Sequence, residues 1–193
     1  MSAVRTAFDH RFYPGDPQEL TRLVDHLLDG VPAVQPSVPL HGIIVPHAGY
    51  VFSGGVAGHA YRFLRGAQLH HPVVFLLGQS HNVALAAPAL LDETAYVTPL
   101  GSVPVERPAI DALLATRRFS LNTHAHAVEH SLEVQLPFLQ RLYGESFSIV
   151  PVLVGEMDAP TARRIAADLD LSLIHISEPT RLLSISYAVF CLK

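Results

Sequence analysis

Apolar and polar positions follow two different periods along this chain, and the changes of period divide it into elements. Over PQELTRLVDHLLDG (17–30), Leu20, Leu23, Val24, Leu27 and Leu28 recur at helical spacing and form one apolar stripe. The preceding FYPGD is a turn signal, and Pro17 suits the first turn of a helix that runs to Gly30. The proline-rich stretch VPAVQPSVP (31–39) then reads as a stiff surface connection. Gly42 to Val45 forms a short buried strand ended by Pro46, which places His47 just beyond its C-terminal end. SGGVAGHAYRFL reads as a helix capped by Ser53. PVVFLLG (72–78) is apolar throughout, as a parallel strand covered on both faces must be, and it leads directly into Gln79, Ser80, His81 and Asn82.

The same grammar continues downstream. AYVTPLGSVPVE predicts one or two short strands around a Pro-Gly turn, and RPAIDALLATRRF predicts a helix with Ile110, Leu113 and Leu114 inward. The polar segment SLNTHAHAVEH delivers His124, His126, Glu129 and His130 to the helical pattern SLEVQLPFLQRLYG, where Pro137 predicts a kink or break. FSIVPVLVG (147–155) is a third apolar strand, interrupted by Pro151, and DAPTARRIAADLD (158–170) is a helix with Asp158 or Thr161 as cap. Strands alternating with helices predict an α/β fold, with a mostly parallel or mixed central sheet flanked by helices. After Asp170 neither period extends through LSLIHISEPTRLLSISYAVFCLK, and the plain reading of Leu182 to Leu192 is a terminal strand or hairpin.

Composition narrows the function classes. With 193 residues, 49% hydrophobic and 16% charged, the chain suits one compact domain and excludes a disordered or coiled-coil protein. Thirteen basic against seventeen acidic residues leave a net charge of −4, so no global positive field favours nucleic acid. A single cysteine, Cys191, excludes an intramolecular disulfide and a cysteine-rich metal site. The absence of a membrane-length apolar run or a signal-peptide core leads to the expectation of a cytoplasmic protein without a membrane partner. Histidine is the unusual residue, at twelve.

In an open parallel sheet the strand C-terminal ends face one crevice, so His47 and His81 emerge on the same side. If their strands are neighbours, about 4.8 Å apart, the two imidazoles can converge on one metal. Histidine suits iron, zinc or copper, and Tyr50, Ser80, Asn82 and Glu129 are placed to support the ligands or position substrate. Acid/base use without metal, and a purely structural role, remain open for the pair. The EHSLE segment can present His130 and Glu133 on one helix face, completing a metal site or providing a base; its plainer reading is an exposed helix start with acidic residues at the positive end. His124 and His126 point to opposite sides if extended. The phosphate-binding loop, the dinucleotide GxGxxG fingerprint and HExxH are all missing.

The ordered series FYPGD, IIVPHAGYVFSGGVAGHAY, VFLLGQSHN, YVTPLGSVPV and EHSLEVQLPFLQ resembles the Memo-like family, which includes AmmeMemoRadiSam system protein B, over about residues 8–170. The resemblance implies a fold like that of class III extradiol, non-haem iron dioxygenases, with a histidine-lined metal cleft. It identifies His47 and His81 as metal ligands, with iron favoured and zinc or copper as alternatives, and puts His130 at the same cleft as an acid/base or substrate contact. Its implied partners are an AMMECR1-domain protein and a radical-SAM protein, or an unidentified small molecule or peptide. Family members are longer and supply further site residues, so residues 1–170 are expected to form a partial Memo-like domain, incomplete at its C-terminus. SLIHISEPTR resembles a translated sequencing-adapter fragment, which marks 171–193 as an expected non-native tail.

Overall fold

The computed structural model describes residues 4–5, 11–30, 40, 42–65, 71–176 and 188–192; the predicted connection at 31–39 and residues 177–187 lie outside them. Strand β1 (Val4–Arg5) is followed by helix α1 (Pro17–Asp29), whose start is capped by the Asp16 carboxylate accepting from the Glu19 backbone N–H. Leu20, Val24 and Leu28 of α1 are buried, while Leu23 and Leu27 pack partly against the same core. Strand β2 (Gly42–Pro46) leads through His47 into helix α2 (Tyr50–Tyr61). This helix begins earlier than the sequence predicts. Gly49 is its N-cap, and the Ser53 hydroxyl donates backwards to the Ala48 carbonyl at 3.0 Å instead of capping.

Strand β3 (Val73–Gln79), the bridge-length β4 (Ala89–Leu90) and the hairpin β5 (Ala95–Thr98) with β6 (Gly101–Pro104) follow. Gly101, at φ +117°, turns that hairpin in a region where a side chain would be strained. Helix α3 (Arg107–Ala115), strand β7 (Ser120–Leu121) and the short α4 (Thr123–Ala127) bring the chain to Glu129 and His130. A 3₁₀ turn at Glu133–Gln135 then enters α5 (Leu136–Tyr143). Pro137 therefore sits in the first turn of its helix, where no N–H is needed, and the predicted break falls just before it. Strand β8 (Ser148–Val154), helix α6 (Ala159–Ile176) and strand β9 (Ala188–Leu192) complete the described chain; α6 continues past Asp170. Pro151 does not interrupt β8. Its neighbour β4 pairs only with Val152 and Leu153, so no ladder bond to β4 is demanded of the proline.

The expected mixed α/β architecture is present. Six strands form one sheet in the order β2-β9-β3-β8-β4-β7, parallel except where β4 runs against β8, and β1, β5 and β6 form a second, three-stranded sheet. One face of the large sheet packs Ile43, Val45, Val74 and Leu76 against α1, α2 and α5; the other packs Phe75, Val150 and Val152 against α3 and Ile165 of α6. Strands β2 and β3 are not neighbours. Strand β9 lies between them, with Val45 in register with Cys191 and Leu77 with Phe190.

Candidate metal centre

An intervening strand puts β2 and β3 about 9.6 Å apart, twice the usual spacing. The two turns nevertheless converge, and His47 Nε2 lies 3.4 Å from His81 Nε2. Two nitrogens held at about 2.05 Å from one ion are about 3.4 Å apart at a tetrahedral angle and about 2.9 Å apart at a right angle. The observed separation is that of the tetrahedral arrangement. His130 joins the pair: one ligand nitrogen from each of His47, His81 and His130 lies within 4.8 Å of the others. The three-histidine group can therefore bind a divalent metal.

Two elements fix the ring directions. Glu129 is 2% exposed, and its Oε2 accepts from the His81 backbone N–H at 2.7 Å while its Oε1 accepts from the His130 and Ser131 backbone N–H groups, each at 2.9 Å. Both oxygens also lie within 3.1 Å of His81 Nδ1. That nitrogen is thus the proton-bearing one, which leaves the lone pair of Nε2 facing His47. Burial by itself raises the Glu129 carboxyl, but donation from the His81 and Ser131 backbones and the His81 ring outweighs it and holds the group below the usual carboxylate range. The His130 Nδ1 is 3.3 Å from Glu129 Oε1, pointing to Nε2 as the nitrogen it offers. Phe12 stacks flat on the His130 ring, with centroids 4.0 Å apart and planes at 9°, and so sets its plane.

The remaining predicted residues act around this group. Ser80 donates from its hydroxyl to Val83 O at 2.7 Å and from its backbone to Val154 O at 2.9 Å, shaping the turn that carries His81. Asn82 Nδ2 donates to Val128 O at 2.6 Å and ties that turn to the Glu129 loop. The buried Tyr50 hydroxyl donates to Val134 O at 2.6 Å; burial, and secondarily the Glu133 carboxylate, push its phenol well above the ordinary value. Glu133 is itself buried and takes the Tyr13 hydroxyl, so neither acidic residue of EHSLE is an exposed helix-start charge. His126 is buried away from the group: its Nε2 donates to Ala89 O at 3.0 Å, leaving Nδ1, 2.9 Å from the Tyr96 hydroxyl, as an acceptor, while His124 is exposed. Phe12 and Tyr13 are the contributors that periodicity could not reveal, although both belong to the FYPGD signature.

The family profile described as Memo-like protein matches residues 6–186. A MEMO1 family protein of Methanopyrus kandleri is 41% identical over 167 residues, covering 80% of this chain and 57% of that protein. One from Ignicoccus hospitalis is also 41% identical over 167 residues, covering 80% and 56%, and one from Thermoplasma volcanium is 32% identical over 178 residues, covering 91% and 62%. The chain thus spans somewhat over half the length of these curated relatives. No helix among the described residues is long and apolar enough to cross a membrane.

Proposed function

The chain belongs to the Memo-like protein family, and we propose that His47, His81 and His130 form a site for one divalent metal that serves small-molecule chemistry. The observation that carries the reading is the 3.4 Å spacing of His47 Nε2 and His81 Nε2, with the second ring already oriented by a buried carboxylate. A bound ion there supplies Lewis-acid polarisation of a small ligand, and iron, which we favour over zinc or copper, adds redox chemistry of the dioxygenase-related kind.

The protein's own residues do the rest. Glu129 is committed to three backbone N–H groups and the His81 ring, so it orients ligands and lowers the local positive charge instead of entering the ligand set. His130, clamped by Phe12 and Glu129, serves as third ligand, or as the acid/base contact if two histidines suffice. Phe12 and Tyr13 also line an adjoining hollow of about 440 Å³ with Asp16, Glu19, Tyr50 and Val51, a volume in the range of small-ligand sites. The same hollow supports a second reading, a protein- or peptide-binding module without catalysis, for which the AMMECR1-domain and radical-SAM proteins associated with the family are the proposed partners.

Metal analysis of the purified chain beside His47→Ala and His81→Ala separates these readings. One equivalent of ion in the parent, with affinity lowered at least tenfold in each variant, is the expected result. Undiminished binding in both variants overturns the site. Metal-dependent oxygen consumption with catechols supports the oxygenase reading, whereas partner capture that persists without metal supports the binding module.

A further inference from the structure

Strand β2 combines three features that a solvated sheet edge does not. It pairs with β9 along one side, and among the described residues nothing pairs along the other, so it ends the large sheet. Its sequence GIIVP carries no charge and no bulge, two of the devices by which exposed edges resist pairing, and its proline stands only at the last position. Ile44 points away from the buried Ile43 and Val45 and is 57% exposed, where the same face over β3 and β8 is covered by α3 and α6.

Helix α2, packed on β2, adds a fourth. Its inner side is buried, with Gly58 so close to α1 that a Cβ there would lie 2.4 Å from the Leu27 carbonyl oxygen. Its outer side is mostly apolar too: Val51 is 92%, Phe52 86% and Val56 64% exposed, with His59 in the last turn as the polar residue among them. A helix whose first two turns are apolar on the outer as well as the inner side belongs there in an interior. Helix α1 provides the contrast, since it turns Gln18, Arg22, His26 and Asp29 to solvent.

We infer that the corner formed by β2 and α2 is an interior surface of the complete fold, covered by the portion that the curated relatives carry outside the matched region. More than a third of each of those relatives lies outside the match, ample for a strand and a helix. An extended segment hydrogen-bonded to the free edge of β2 would lay alternate apolar side chains against Val51, Phe52 and Val56. A helix crossing to the opposite face would cover Ile44, which is how parallel sheets bury both faces. The occupant is therefore an apolar strand with its crossover helix, from the same polypeptide in the relatives. Because β2 carries His47 at its end, that segment also stiffens one wall of the metal centre.

Hydroxyl-radical footprinting and amide exchange on this chain and on the intact Methanopyrus kandleri protein test the inference. Phe52 should label readily here, independently of protein concentration, and the aligned position in the relative should label at least tenfold more slowly, with slowed exchange over the strand equivalent to β2. Phe52→Glu should leave the melting temperature of this chain unchanged, while Glu at the aligned position should lower that of the relative. Equal labelling in the two proteins overturns the inference. Protection of Phe52 that grows with the concentration of this chain and vanishes in Phe52→Glu assigns the corner to a second copy, and overturns it as well.

Discussion

Replacing Glu129 by Gln keeps the size of a side chain that four donors surround and removes its charge. The carboxylate accepts three backbone N–H groups, from His81, His130 and Ser131, at 2.7–2.9 Å, and the His81 ring besides. An amide has one acceptor oxygen. The least costly orientation keeps that oxygen on His130 and Ser131 and turns the NH₂ toward the His81 backbone. That leaves the part-buried His81 N–H without its acceptor, at about 1–3 kcal/mol, and reduces two charge-assisted bonds to neutral ones, at about 1 kcal/mol each. Stability should fall by about 3–5 kcal/mol in urea denaturation. Replacing the charged acceptor of His81 Nδ1 by one neutral amide oxygen, with an NH₂ facing the same nitrogen from the other position, should weaken zinc or cobalt binding about 10–100-fold by calorimetric titration. Acid provides an internal control. The Glu129 carboxyl is depressed in the folded protein, so its contribution is fully present above the unfolded value of about 4.3 and is lost as pH falls through the lower folded value. The gap between parent and Glu129→Gln should therefore close on acidification. Metal affinity within twofold of the parent, with stability changed by less than about 1 kcal/mol, would refute the orienting role.

Three further outcomes follow from the same geometry. A Cβ at Gly78 would lie 2.6 Å from Leu132 Cδ2 and 2.7 Å from Ser131 Oγ, so Gly78→Ala should cost about 1–3 kcal/mol and displace the loop carrying Glu129 and His130, lowering metal affinity; unchanged binding would show that this loop is not held by β3. Metal binding requires neutral imidazoles, so apparent affinity measured by competition with a chelator should fall on acidification, with protons released as the ion binds; an affinity that does not change as pH falls is the contrary result. Tyr50 should stay protonated through an alkaline absorbance titration until the protein unfolds, and Tyr50→Phe should lower stability by about 1 kcal/mol while leaving the pre-unfolding titration superimposable on the parent's.

Local chemistry was legible because it is written in adjacent residues. The run GIIVP followed by His47, and VVFLLGQ followed by Ser80 and His81, announce strands that release a histidine at their C-terminal ends, and both do so. Neighbour relations were not legible. Nothing in either strand specifies that β9 lies between them, because an apolar parallel strand accepts any similar partner on its flank. The turn residues, not strand adjacency, bring the two Nε2 atoms to 3.4 Å. Glu129 could be named as a nearby polar residue, but its burial depends on a fold that aims the His81, His130 and Ser131 N–H groups at one point. His126 shows the converse. Its motif looks as rich as that of His130, yet one helical turn sends it to Tyr96 and the Ala89 carbonyl. Phe12 lies more than a hundred residues from the ring it stacks on, a distance at which periodicity carries no information.

The place of β9 in the sheet also sets an order of events. Among the described residues, β2 reaches the rest of its sheet only through a strand whose partners, such as Ile43 and Val189, stand more than 140 residues apart in the chain. Contacts of such long range carry a large loop-closure entropy and form slowly. Strands β3, β8 and β4 can assemble before them, and with them the loops bearing His81, Glu129 and His130. His47 then arrives last. A nascent or partly unfolded chain would hold two of the three histidines together and would grip an ion weakly, so acquisition of metal becomes a readout of the final closure of the sheet.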